Sequence, residues 1–116
     1  MKPTITYPDF AKLDLRMGLV KEAAFPEGSQ HLIRCVVDFG KELGERIIFS
    51  GIKHWYSPED LIGKTLPYLI NLEPKKMMNE DSQGMLITAA PEEEPGKSTA
   101  VLLLPDQKIP PGTKII

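Results

Sequence analysis

The chain has 116 residues, 41% of them hydrophobic and 26% charged, which is the composition of a globular protein and predicts a single domain over residues 1–116. Its formal net charge of -2 at pH 7 excludes a broadly basic nucleic-acid surface but allows a local basic patch. Eleven prolines and nine glycines divide the sequence into short segments, which favours many short strands over a helical bundle.

A short helix is predicted close to the first residues. Pro8 follows Thr6 and Tyr7 at a spacing typical of the first helical position, where proline is tolerated. Phe10 and Leu13 would share one face of this helix. We therefore expect one or two helical turns that plug one end of the core.

The next segment, Asp14–Glu22, alternates polar and apolar residues and predicts a half-buried strand. Gly18 in its middle suggests a bulge or a sharp bend, as small barrels need where a strand turns a corner. The alternation assigns four residues to the buried face: Leu13, Leu15, Met17 and Leu19.

Strands two and three are predicted at Leu32–Phe39 and Arg46–Ser50, with a hairpin loop at Gly40–Gly44 between them. Cys35 alternates with apolar residues, which predicts a buried thiol. A lone cysteine forms no internal disulfide and the first residues do not resemble a signal peptide, so we expect a cytoplasmic protein. No apolar run approaches the roughly 20 residues that span a bilayer, and no membrane partner is expected.

A second short helix is predicted between strands three and four. Ser57 is typical of an N-cap, Pro58 of the first helical position and Gly63 of the left-handed C-terminal cap. Trp55 and Tyr56 follow Lys53 and His54, and aromatic residues beside cations can stack on bases. The interpretation that we favour is that they pack the helix onto the rest of the fold.

The second half of the chain adds predicted strands at Leu66–Leu72, Met85–Ala90 and Thr99–Leu104. The acidic segment 91–97 is expected to be a solvated loop, and the apolar tail that ends at Ile116 is expected to dock against another part of the protein. Three strands, a short helix and two more strands are the order of the oligonucleotide/oligosaccharide-binding (OB) barrel. The sequence thus predicts an all-β fold, a five-stranded OB barrel with short helices and a C-terminal extension, although other small barrels share this coarse pattern.

The polar segment between strands four and five carries the strongest binding signal. Lys75 and Lys76 follow Pro74, which stiffens the loop and lowers the entropy lost on binding. These lysines either contact phosphate oxygens or are solvated. Ser82 either starts a turn whose N–H groups face a phosphate or belongs to a turn that leads into strand five. Asn71 could contact RNA, but its position at the end of strand four favours a structural role in which it holds the loop backbone. Three acids weaken the attraction for phosphate: Glu73, Glu80 and Asp81.

Further cations could form a stripe that follows a nucleic-acid backbone, or a solvated face: Arg16, Arg34 and Arg46 on strands one to three, with Lys53 after them. His31 and His54 have no Cys, Asp or Glu at zinc-ligand spacing, so neither a metal site nor a cofactor is expected. No nucleophile elbow, phosphate loop or zinc-protease motif is present. The residues therefore favour a non-catalytic binding module over an enzyme.

Four ordered motifs resemble those of the tRNA-binding domain family. They are FAKLDLRMG at residues 10–18, SGI with YSPEDLIG over 50–63, NLEPKK with SQGM over 71–85, and the PD…IPPGTKI tail over 105–115. The family includes the C-terminal appendix of methionyl-tRNA synthetases, free-standing tRNA-binding proteins and CsaA-type export chaperones. The resemblance implies an OB fold, homodimerisation through the terminal segments and sequence-tolerant binding of folded tRNA.

The chain departs from the family pattern at three positions of this segment. The family commonly has a basic residue where this chain has Glu73, an arginine where it has Met78 and a glycine where it has Asn79. Two functions stay open on this resemblance. The first is a tRNA-binding module that acts in trans or as an appendix to methionyl-tRNA synthetase. The second is a CsaA-type chaperone that binds unfolded polypeptide.

Overall fold

The computed structural model describes residues 1–116, which form short strands and three single-turn helices. The elements in chain order are α1 (Tyr7–Phe10), β1 (Leu15–Ala24), β2 (Ile33–Asp38), α2 (Gly40–Leu43), β3 (Glu45–Ser50), α3 (Pro58–Leu61), β4 (Thr65–Leu69), β5 (Lys75–Met77), β6 (Glu80–Ser82), β7 (Met85–Leu86), β8 (Thr88–Ala89), β9 (Glu92–Glu94), β10 (Lys97–Ser98), β11 (Val101–Leu102) and β12 (Lys114–Ile115). None of the helices has the length and apolarity that crossing a membrane requires.

The main sheet is antiparallel and runs in the order β3-β2-β1-β4-β7, with β12 beside β1. The barrel is nearly closed on its remaining side, where the backbone N–H of Gln83, just before β7, donates to the carbonyl of Ile47 in β3 at 2.9 Å. The all-β prediction and the predicted OB-type barrel with short helices and a C-terminal extension are confirmed.

The core is one cluster of buried side chains inside this barrel. Strand β2 contributes alternate residues to it, and Cys35 is buried as predicted, so that burial raises the pKa of its thiol to about 11. Phe39 meets Tyr68 edge to face, with ring centroids 5.4 Å apart. The cluster comprises Val20, Ile33, Cys35, Val37, Phe39, Ile48, Ile52, Leu61, Leu66, Tyr68 and Ile70.

Strand β1 is confirmed, but the face predicted to be buried is wrong. Val20, on the face read as polar, is only 1% exposed and belongs to the core cluster, whereas Leu13 is 46% exposed. Met17 is buried outside that cluster, where the N–H of Gly112 donates to its carbonyl oxygen. The apolar alternation along β1 therefore reflects a face of the barrel that other segments cover in part.

Gly18 provides the close approach that sets the interior face of β1. A Cβ at this position would lie 2.5 Å from Val37 Cγ1 and 2.6 Å from Phe39 Cε1. The predicted bulge at Gly18 is wrong, because the register with β2 shifts between Val20 and Glu22 instead. The glycine is needed for packing against the aromatic ring and not for a kink.

Helix α1 begins as predicted but does not plug the core. The backbone N–H of Asp9 donates to Thr6 Oγ1 and that of Thr6 donates to Asp9 Oδ2, both at 3.3 Å. None of the helical residues is buried, and Phe10 remains 37% exposed. The apolar face of this helix is thus left uncovered within one chain.

The predicted limits of helix α3 are confirmed. The Asp60 carboxylate accepts from the backbone N–H and the hydroxyl of Ser57, and these hydrogen bonds lower the pKa of Asp60. Gly63 takes the left-handed conformation at φ 86°. Of the aromatic residues expected to pack here, Tyr56 lies against the core, but Trp55 stays 43% exposed.

The last segments depart from the prediction in detail. The fifth strand is split into β7 and β8, β11 pairs β8, and the acidic loop is an exposed hairpin of β9 and β10. The tail docks as predicted, because Ile115 pairs with Leu15 and Lys114 with Arg16. Ile116 itself is fully exposed.

Candidate nucleic-acid interface

The polar segment between strands four and five is a β-hairpin and not the irregular loop that the sequence suggested. In it Lys75 lies opposite Ser82, and Lys76 opposite Asp81. The tip residues Met78 and Asn79 have φ of 51° and 71°. Positive φ at both central residues is the type I′ geometry, whose twist matches that of the paired strands. We name residues 75–82 the lysine hairpin.

A bidentate ion pair joins the lysine hairpin to the barrel. Arg34 Nε lies 2.9 Å from Glu80 Oε1, and Arg34 Nη2 lies 3.0 Å from Glu80 Oε2. The shared hydrogen bonds raise the pKa of Arg34 and lower the pKa of Glu80. Arg34 was predicted to face RNA, and the structure instead pairs its charge with a carboxylate of the hairpin.

Hydrogen bonds from backbone N–H groups of β3 to two side chains fix the C-terminal end of the lysine hairpin. The buried Ser82 hydroxyl accepts from the N–H of Phe49 at 3.0 Å. The Gln83 side-chain oxygen accepts from the N–H of Ile47 at 3.1 Å. Ser82, which was a candidate for phosphate contact, is therefore engaged in holding the hairpin.

Arg46 is also held by the fold. Its Nη1 donates to the carbonyl oxygens of Ile70 at 2.8 Å and Gln83 at 3.3 Å, on either side of the segment that carries the lysine hairpin. These bonds to carbonyls leave the positive charge uncompensated by any acid in the chain. They nevertheless place the guanidinium at the base of the hairpin and not on an open stripe.

Asn71 fixes the start of β1 and not its own loop. Its side-chain oxygen accepts from the N–H of Asp14 at 2.8 Å, and its Nδ2 donates to the carbonyl of Lys12 at 2.7 Å. The sequence favoured a role in holding its own loop, whereas these hydrogen bonds join Asn71 to a segment that lies 57 to 59 residues away in the sequence.

Arg16 and Lys53 complete the predicted cationic set, and both are occupied. Arg16 Nε lies 2.6 Å from Asp14 Oδ1, and its Nη1 donates to the carbonyl of Gly112 at 3.2 Å. Lys53 Nζ donates to the carbonyl of Ser29 at 2.9 Å and lies 4.8 Å from the ring centroid of Phe25.

Two of the predicted cations remain free. Lys75 and Lys76 are exposed, take part in none of the four ion pairs of the chain and donate no side-chain hydrogen bond. Among the candidate cations, these two are therefore the ones whose ammonium groups have no partner within the chain. As consecutive residues of a strand, Lys75 and Lys76 direct their side chains to opposite faces of the hairpin. The hairpin holds their backbone in place, so a phosphate contact does not first require a loop to become ordered.

Two further features were missed from the sequence. His31 Nδ1 lies 3.2 Å from His54 Nε2, although the residues are 23 apart in the sequence. No local signal indicates this contact, because it depends on the pairing that continues beyond β2 and β3. The second feature is a groove of about 480 Å³ between the terminal segments, which we name the terminal groove; its apolar lining includes Tyr7, Phe10, Leu13, Leu15, Ile115 and Ile116.

A family model described as "Putative tRNA binding domain" matches residues 15–114 of the chain. Methionine–tRNA ligase of Archaeoglobus fulgidus is 43% identical over 114 residues. The match covers 98% of this chain but 16% of that protein, so the chain spans a small part of this relative.

Among the solved structures with the same fold, one is described as a MetRS-related protein and another as a chaperone. The MetRS-related protein of Pyrococcus horikoshii aligns with a TM-score of 0.89 at 34% identity, over 99% of this chain and 100% of that one. The chaperone CsaA of Bacillus anthracis aligns with a TM-score of 0.85 at 35% identity, over 98% and 100% of the respective chains.

Proposed function

Because the chain belongs to the tRNA-binding domain family, we propose that it is a non-catalytic module that binds folded tRNA through the lysine hairpin. The observation that carries this proposal is the pair of exposed, unpaired ammonium groups on β5, Lys75 and Lys76. RNA helices are recognised mainly through shape and backbone, so these contacts need no base code. Such a module acts in the cytoplasm, in trans or as an appendix to methionyl-tRNA synthetase.

Three of the other candidate residues support the lysine hairpin in this proposal. Arg34 orients the lysine hairpin through Glu80, and Arg46 and Ser82 fix its base. With two direct phosphate contacts, binding is weak and its salt dependence is modest, because few counterions are released. The net charge of -2 adds a general repulsion that the local patch must overcome.

The test compares tRNA with an unfolded polypeptide as ligands for the same sample. Labelled tRNA is titrated by fluorescence anisotropy at about 50 mM and about 200 mM salt, and a reduced, denatured polypeptide is titrated in parallel. We expect saturable tRNA binding that weakens by about 7- to 12-fold at the higher salt. Polypeptide binding that is insensitive to salt, with no saturable tRNA binding, would exclude the proposal.

The chaperone function stays the second candidate, because one feature favours it. The terminal groove exposes apolar side chains of the kind that an unfolded polypeptide contacts, with Tyr7 77% and Leu13 46% exposed. One of the similar solved structures is described as a chaperone. In the same titration, this function would appear as polypeptide binding that tRNA does not displace and that the higher salt concentration does not weaken.

We further propose that the chain forms a homodimer in which a second copy covers the terminal groove. The face of α1 and the tail that pairs with β1 leave apolar side chains uncovered, and exposed patches of this kind mark protein contacts. A homodimer also accounts for an N-terminal helix that buries nothing within its own chain.

Sedimentation equilibrium distinguishes a dimer from a monomer of 13.0 kDa. Leu13→Glu in the terminal groove should give the monomer. Ile62→Glu is the matched control, because Ile62 is 49% exposed, close to the 46% of Leu13, but lies next to α3 and outside the groove. A wild-type monomer, or a Leu13→Glu variant that stays dimeric, would contradict the proposed interface.

A further inference from the structure

The two histidines of the chain form a pair on the surface, at the end of the barrel where β2 begins and β3 ends. Both side chains are exposed, their ring centroids are 5.3 Å apart and their planes are tilted by 58°. The two nearest ring nitrogens, His31 Nδ1 and His54 Nε2, are separated by 3.2 Å. The chain has no other histidine, and the lysine hairpin does not use these two.

The backbone around the pair is held in place by hydrogen bonds. The N–H of Lys53 donates to the carbonyl of His31 at 3.2 Å, which extends the contact between the β2 and β3 segments beyond the strands. Ser29 Oγ accepts from the N–H of His31 at 3.3 Å, and the N–H of Trp55 closes a turn onto Ile52 at 3.0 Å. Both imidazoles are thus carried by ordered backbone.

The separation of the two nitrogens matches two ligands on one metal ion. With metal–nitrogen bonds of about 2.0–2.1 Å, nitrogens 3.2 Å apart subtend an angle of about 100° at the metal, between the square-planar and the tetrahedral value. We propose that His31 and His54 form a bidentate site for a divalent transition-metal ion that prefers imidazole, of which Cu²⁺ and Zn²⁺ are the probes.

Metal binding replaces the hydrogen bond between the rings. A hydrogen bond between His31 Nδ1 and His54 Nε2 requires one ring nitrogen to donate and the other to accept, and the tautomers of the two rings decide which. For coordination both facing nitrogens must present lone pairs, so the donor ring moves its proton to its other nitrogen. His31 then binds through Nδ1 and His54 through Nε2.

The pair supplies two ligands and leaves the other positions to water. No group of three or more His, Cys, Asp or Glu side chains converges in the chain, so the site is open and not a closed structural site. The neighbouring ammonium of Lys53 opposes a cation, but it is engaged by the Ser29 carbonyl and the Phe25 ring. An open site with two ligands should exchange metal readily and need not stabilise the fold.

Trp55 gives a direct readout of this site. It is the one tryptophan of the chain, and its ring centroid lies 5.8 Å from that of His54. Cu²⁺ bound by the pair should quench its fluorescence in a saturable manner, and excess Zn²⁺ should raise the Cu²⁺ concentration needed because it occupies the same nitrogens. The protein is used without an affinity tag, since added histidines would bind the same ions.

The decisive variant is His31→Gln, which removes one ligand and keeps the His54–Trp55 contact. Because chelation by two linked ligands gains about 10²–10⁴ over one, the Cu²⁺ midpoint should rise by about 100-fold or more, and likewise in His54→Gln. Glu59→Gln, an exposed acid on α3, should leave the midpoint unchanged. A His31→Gln midpoint within about twofold of the wild type, absence of quenching, or indifference to Zn²⁺ would overturn the proposal.

Discussion

The lysine hairpin makes a quantitative prediction about salt. The variant with both Lys75→Gln and Lys76→Gln removes two positive charges from the hairpin and leaves polar side chains that are only slightly shorter. Both lysines are exposed and unpaired, so folding stability should change by no more than about 0.5 kcal/mol. Any larger effect on RNA binding then reports the site and not the fold.

The size of the effect follows from counterion release. Each phosphate contact contributes about 0.7 to 0.9 to the slope of log K against log salt, so two lost contacts should lower the slope by about 1.4 to 1.8. If the variant and the wild type converge at about 1 M salt, the same slopes give a loss of about 25- to 60-fold in tRNA affinity at about 0.1 M.

The assay is a series of tRNA titrations by fluorescence anisotropy across several salt concentrations. The matched control replaces two other exposed lysines outside the hairpin, Lys41→Gln with Lys108→Gln, which lowers the net charge by the same two units. The control should lose little affinity and keep its slope. Equal slopes for the two double variants would refute the assignment, because general charge and not the lysine hairpin would then govern binding.

Three further predictions concern the fold that supports the site. Glu80 has a lowered folded-state pKa because of its hydrogen bonds to Arg34, so its stabilisation is present above the ordinary pKa of glutamate and is lost as pH falls through the folded value. The difference in unfolding free energy between wild type and Glu80→Gln should therefore shrink on acidification, and a constant difference would contradict the ion pair. Gly18→Ala should destabilise the protein by about 1–3 kcal/mol in urea unfolding, because the new Cβ would lie 2.6 Å from Phe39 Cε1; an unchanged midpoint would contradict this packing. Cys35 should resist iodoacetamide at neutral pH until the protein unfolds, since burial raises its thiol pKa to about 11, and rapid labelling of the native state would show that the core opens.

Local chemistry was sufficient to predict much of the fold. Proline in the first helical turn located α1 and α3, and the alternation around Cys35 predicted the buried face of β2. In β1 the same alternation failed, because apolar residues lie on both faces and the small size of Gly18 decides which of them faces Phe39. A periodic pattern identifies a strand, but packing partners far away in sequence determine its interior face.

The site was less predictable, because sequence gives the charge of a residue but not its partner. Arg34 and Lys75 were both candidates on charge alone. Arg34 forms an ion pair with Glu80, which is 46 residues away in the sequence, whereas Lys75 forms no ion pair. The same limitation concealed the contact between His31 and His54, since neither lies at a spacing that local structure would bring together.

The geometry of the lysine hairpin and its charge are determined by different residues. Its type I′ turn requires positive φ at Met78 and Asn79, and asparagine tolerates this conformation almost as well as the glycine common in the family. Met78 tolerates it poorly and also lacks the charge of the arginine common there, while Glu80 is already neutralised by Arg34. The turn therefore keeps its shape at some cost in strain. The positive charges of the hairpin that can contact phosphate are those of Lys75 and Lys76. Restoring the family residue with Met78→Arg should accordingly raise both the tRNA affinity and the salt slope, the latter by about 0.7 to 0.9 for one new contact. A rise in affinity without a steeper slope would mean that the new side chain acts on the turn and not on phosphate.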